Sequence, residues 1–170
     1  MLFRSLVDRA SFAALGKKWP AAVRRWMATT GFDGAPDTHA LVADERGQLK
    51  AVWAGVRSVH HPYALSSLPR GLPVGRYRLG SDGLPPDEHA AALSWDLGAY
   101  VFDLYKPARR PAADLFMAPS AAAQRGVLEA TAICATRDLV NTPAEHMGPG
   151  ELSNAVQAIA QAHGAHFKEV

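Results

Sequence analysis

The chain has 170 residues, 48% of them hydrophobic and 20% charged, and carries 18 basic against 16 acidic residues for a formal charge of +2. That length supports one hydrophobic core, and the near balance of charge gives no general pull toward nucleic acid or an anionic membrane. A single cysteine, Cys134, excludes an intramolecular disulfide, and no stretch approaches the roughly 18 apolar residues that read as a membrane span.

Residues 1–8 lack the long apolar run and small-residue cleavage site of a secretory signal, so a cytoplasmic protein is expected. Residues 11–31 read as helical, broken at Gly16 and restarted at Pro20, with Gly31 suited to the left-handed residue that ends a helix. Val23, Trp26 and Met27 make one apolar stripe, which leaves Lys17-Lys18 and Arg24-Arg25 largely on solvated faces. Two apolar runs, 39–43 and 49–55, flank the polar loop Asp44-Glu45-Arg46-Gly47-Gln48, the pattern of two antiparallel strands. A helical turn is expected over 63–68, and 75–79 alternates as a half-buried strand.

The clearest predicted element is a helix from about Pro86 to Lys106. Asp87 and Glu88 suit its first turn and Lys106 its last; Leu93, Leu97, Val101 and Leu104 recur at helical spacing, and Pro107 is the expected stop. The following loop, with Arg109-Arg110, is basic and proline-rich and reads as a solvated connection. Residues 114–118 read as a short buried strand. Ser120 can cap a helix running to about Val140, whose apolar positions occupy most of its circumference, so it calls for a covering surface. Pro143 and the loop through Gly150 break the chain again. A last helix follows with Leu152, Val156 and Ile159 on one face, then Gly164, then residues 165–170 as an opening strand. The alternation of helices and strands argues for an α/β fold.

Catalytic motifs are missing. The chain has no His-Glu-x-x-His, cysteine pair, Gly-x-Ser-x-Gly elbow or phosphate-cradling Gly-x-x-x-x-Gly-Lys. His60 and His61 are adjacent and make a poor chelate in extended backbone. His163 and His166 straddle a predicted helix end, and zinc needs three or four converging ligands. Cys134 reads as a small core residue rather than a nucleophile. No catalytic, cofactor-binding or metal-ligating residue is therefore assigned.

Two segments carry a resemblance. Arg137-Asp138-Leu139-Val140-Asn141-Thr142-Pro143-Ala144-Glu145-His146-Met147-Gly148-Pro149-Gly150-Glu151-Leu152 resembles the segment leading into the catalytic domain of leucine (cytosol) aminopeptidases, although that family commonly has asparagine where Glu145 stands. Leu97-Gly98-Ala99-Tyr100-Val101-Phe102-Asp103-Leu104-Tyr105-Lys106 is similar to a helix of the same family's N-terminal domain. The resemblance implies a three-layer α/β/α, macro-domain-like mixed sheet over 1–119, a long linker helix over 120–142, and the start of a truncated catalytic domain over 143–170. It also implies a homohexameric parent enzyme that releases N-terminal amino acids from peptides with two divalent ions (zinc, manganese or magnesium). Those ions and their ligands would lie in the catalytic domain that follows, so this chain is expected to serve assembly and active-site access and to be inactive alone. Its implied partners are that catalytic domain and sister subunits. Two other readings stay open: a free-standing macro-like module binding a nucleotide or ADP-ribose through Gly71-Leu72-Pro73-Val74-Gly75, and DNA binding around Arg109-Arg110.

Overall fold

A computed structural model describes residues 2–80 and 82–169. Five strands, β1 (Leu2–Val7), β2 (His39–Ala43), β3 (Leu49–Gly55), β4 (Arg76–Leu79) and β5 (Asp114–Phe116), form one mixed sheet in the order β2-β3-β1-β4-β5. β1 runs parallel to β3 and β4, β4 parallel to β5, and β2 antiparallel to β3. The expected hairpin forms because Asp44 Oδ1 accepts from the backbone N–H of Arg46 and Gln48, both at 2.9 Å, while Gly47 takes the positive φ of 75° that closes the loop.

Alternation along the strands divides the core between two faces. Val7, Ala40 and Trp53 point to one side, where α1 (Arg9–Gly16), α2 (Ala21–Thr30) and their connection cover them with Phe12, Val23, Met27 and Trp19. Leu6, Val52, Ala54 and Tyr77 point to the other, packed with Leu65, α3 (Leu68–Gly71) and α4 (Glu88–Ala99), from which Ala91 and Trp95 project. The result is the expected three-layer α/β/α arrangement, with α5 (Ala121–Asn141) lying outside α4 and α6 (Pro149–Ala162) after it. Gly31 caps α2 in the left-handed conformation at φ 70°, and the Ser120 side chain caps α5 by accepting from Ala123 N–H.

Three expectations are corrected. The helical stretch expected over 11–31 is not the first element: Leu2–Val7 before it is the central strand, and its buried Leu6 and Val7 face opposite layers. The helix expected to reach Lys106 ends at Ala99, because Tyr100 turns to an extended backbone with ψ 136°. Its hydroxyl donates to Asp138 Oδ1 at 2.8 Å and accepts from Asn141 Nδ2 at 3.1 Å, which ties the chain to α5. Val101 and Leu104 thus lie in the loop, and Pro107 is not the stop. No strand forms over 165–169, and the segment joins neither edge of the five-stranded sheet; Val170 lies outside the described residues.

Candidate functional site

The junction of α4 and α5 is built from small residues and polar pins. Ala123, Gly126 and Ala130 are the buried residues of α5, facing Leu93 and Leu97 of α4. Gly126 is required there: an added Cβ would stand 2.4 Å from the His89 carbonyl oxygen. Around this seam Ser120 Oγ donates to Glu88 at 2.5 Å, and His89 Nε2 lies 3.0 Å from Glu129 Oε2. Arg125 Nε donates to the same Glu129 carboxylate at 3.1 Å, and this bond above all holds its pKa below the usual range. Arg137 donates to the Leu97 carbonyl and stacks 5.4 Å from the Tyr100 ring.

Only that inner stripe of α5 is covered. Its outward side carries Val127, Leu128 (62% exposed), Ile133 and Val140 (78% exposed). α6 has no buried residue at all, and Leu152, Val156 and Ile159 line up on one exposed face. Two successive helices thus carry uncovered apolar residues, the kind of surface that interaction sites use.

The sequence-derived candidates are not drawn to one place. His60 Nδ1 lies 2.6 Å from Asp87 Oδ2, whereas His61 Nδ1 accepts from Tyr63 N–H at 3.2 Å, so the two rings engage separate partners. Asp87 is the N-cap of α4, and the Ala90 N–H, then His60, lower its pKa. His163 and His166 are exposed. Cys134 is half-buried beside Leu93, Leu97 and Ala130, and burial pushes its thiol up. Among the described residues, no three His, Cys, Asp or Glu side chains could together hold a metal ion.

Two other features take structural roles. Arg110 donates to the Leu72 carbonyl at 3.0 Å and also to the Arg70 carbonyl. Tyr77 Oη donates to the Pro73 carbonyl at 2.8 Å. The Leu72 and Pro73 carbonyls thus face side-chain donors and the Leu72 N–H is already taken by the Leu68 carbonyl at 2.9 Å, which is unlike the row of free N–H groups in a phosphate cradle. At the C-terminal end of β1, where parallel α/β sheets receive nucleotides, the Leu84 N–H donates to Leu6 O at 2.7 Å. A Cβ on Gly83 would lie 2.1 Å from that same oxygen. Lys17 and Lys18, in the connection after α1, and Arg24 and Arg25, on α2, are exposed.

The family model of the M17 aminopeptidase N-terminal domain matches residues 5–118. The chain belongs to the M17 aminopeptidase family. A curated relative, a probable cytosol aminopeptidase of Nocardia farcinica, is 38% identical over 91 residues, covering 46% of this chain and 18% of that one. The crystal structure of the cytosol aminopeptidase from Coxiella burnetii is similar over 95% of this chain, with 30% identity and a TM-score of 0.83. The bottromycin maturation enzyme BotP, solved in complex with Mn, shares the fold at 23% identity and a TM-score of 0.68 over 96% of this chain. This chain spans only 36% of each of those two structures. Residues 5–118 are an M17 N-terminal domain, and the chain has the α/β fold of these relatives; the nucleotide-module reading has no support among them.

Sequence reasoning missed Gly126, Tyr100 and the half-buried Asp96 of α4, whose carboxyl burial pushes above its usual range. A signal for Asp96 existed: it is a lone charge inside the apolar run Ala92-Leu93-Ser94-Trp95-Asp96-Leu97.

Proposed function

We propose that this chain is the non-catalytic part of a leucyl aminopeptidase, in which it holds the catalytic portion and sister subunits in place. The observation that carries this reading is the uncovered apolar surface of α5 and α6, on a chain that spans about a third of a homologous structure. In this reading residues 1–119 are the macro-like domain, α5 is the linker within 120–142, and 143–170 begin the catalytic portion; the family match ending at residue 118 supports the first boundary.

The assembled enzyme would be a cytoplasmic homohexamer releasing N-terminal amino acids with two divalent metal ions, zinc, manganese or magnesium. A two-metal pair polarises the scissile carbonyl and activates water. The described residues of this chain do not fit such a centre, since no three potential ligands converge. In this reading the metals sit in the catalytic portion, and no residue of this chain takes a catalytic, cofactor-binding or metal-binding role. Among the described residues no helix is long and apolar enough to cross a membrane.

Val140→Asp and Ile159→Asp test the reading. In the intact enzyme each substitution is expected to disrupt assembly and reduce leucyl-anilide hydrolysis at least tenfold. In this chain alone, where both residues are exposed, each should change stability by no more than about 0.5 kcal/mol. Wild-type assembly and activity in both variants would overturn the proposal.

A further inference from the structure

A groove of about 330 Å³ runs between α4, α5 and the segment that follows β5. Its walls are mostly apolar, with Trp95, Leu115, Met117, Pro119 and Val127 among them, and Asp96 and Gln124 contribute polar groups. Trp95 Nε1 donates to the Ala113 carbonyl at 3.0 Å, which fixes the indole as one wall. Asp96 is half-buried at this groove, and no described side chain forms a hydrogen bond or ion pair with its carboxylate. By contrast, Glu88, Glu129 and Asp138 on the same pair of helices all have partners. β5 is the edge strand of the sheet, and the groove opens beside it and continues onto the exposed Val127 of α5.

We propose that this groove receives a lysine or arginine side chain from the catalytic portion of the same enzyme, with Asp96 as its counter-ion. Charge complementarity selects the occupant. A purely apolar segment would bury the carboxylate further without a partner, at a cost of several kcal/mol. An acidic segment would add repulsion. The long methylene stem of lysine or arginine matches the apolar walls while its head reaches the carboxylate. The inference rests on the proposed function, because it takes its occupant from the portion that covers α5.

Carboxyl footprinting of the intact enzyme with a carbodiimide and glycine ethyl ester, combined with Asp96→Asn, tests it. Asp96 should be labelled at least tenfold more slowly than the exposed Glu45, and Asp96→Asn should lower Tm, because the cation loses its partner. In the chain alone the same substitution should leave Tm unchanged or raise it, since it removes an unpaired half-buried charge. An unchanged or raised Tm in the intact enzyme, or labelling of Asp96 as fast as Glu45, would overturn the inference. Hydrogen exchange on α5 separates the two levels. If α5 is protected while Asp96 fails either test, the proposed function stands and this inference falls; if α5 is unprotected, both fall.

Discussion

Gly126→Ala tests whether the α4–α5 seam is set by backbone contact. In an open helix interior the exchange would stabilise by about 1 kcal/mol through propensity alone. Here the new Cβ would stand 2.4 Å from His89 O and 3.0 Å from both Ala92 Cβ and Leu93 N. Ordinary van der Waals contact begins near 3.5 Å, so α5 must withdraw by about 1 Å, and such a gap forfeits about a quarter to a half of the dispersion attraction across it. The displaced contacts include those of Leu93, Leu97 and Ala130. Overpacking of this kind costs about 1–3 kcal/mol. Because the obstructing atoms are largely backbone, the upper part of that range applies, and the net loss after the propensity gain is about 1–2 kcal/mol. At this chain length that is a fall in Tm of roughly 2–8 °C, readable by calorimetry or circular dichroism. Gly150→Ala, at a helical glycine with nothing within 4 Å of the added Cβ, is the control and should not lower Tm. A Gly126→Ala chain as stable as the wild type would refute the reasoning.

Other outcomes follow from named contacts. Trp95→Phe removes the bond to the Ala113 carbonyl and should cost about 1–3 kcal/mol by leaving a buried acceptor unpaired, read in urea unfolding. Arg110→Ala frees two carbonyls of the 70–72 segment and should lower stability while leaving any weak DNA binding in fluorescence anisotropy unchanged; loss of specific DNA binding would restore the nucleic-acid reading. Burial raises the Asp96 pKa above 3.8, so the folded chain binds more protons than the unfolded one just above that value. Its contribution is therefore present below pH 3.8 and lost as pH rises through the folded pKa, and Asp96→Asn should flatten that part of the stability–pH curve. Asp87 shifts the other way, with the Ala90 N–H as the main cause. Its contribution holds above pH 3.8 and is lost as pH falls through the folded pKa, and Asp87→Ala should abolish that loss at a cost of about 1 kcal/mol for the cap. Pure chain with added manganese should not hydrolyse a leucyl-anilide; robust, chelator-sensitive hydrolysis would contradict the non-catalytic assignment.

Much of the fold was legible because local chemistry and tertiary structure agree. The Asp44-Gly47 loop, the Gly31 cap, the Ser120 cap and the alternation around Tyr77 each impose a geometry that the structure keeps. β1 was not legible: a central parallel strand is buried on both faces, so Leu6 and Val7 show no alternation to read. The overlong helix failed for the opposite reason. Val101 and Leu104 continue an apolar period by sequence, but Tyr100 is turned by bonds to Asp138 and Asn141, residues 38 and 41 positions away. The need for a covering surface on α5 was visible from its apolar circumference, whereas Gly126 and Asp96 gain meaning only once α4 and α5 are paired.

The most direct test of the central claim is hydrogen–deuterium exchange on this chain alone and within the intact aminopeptidase. α5 beyond Ala130 and α6 around Val156 should exchange rapidly in the chain alone and become strongly protected in the enzyme, while α1 and the β2–β3 loop change little. Equal exchange of α5 and α6 in both states would contradict that claim.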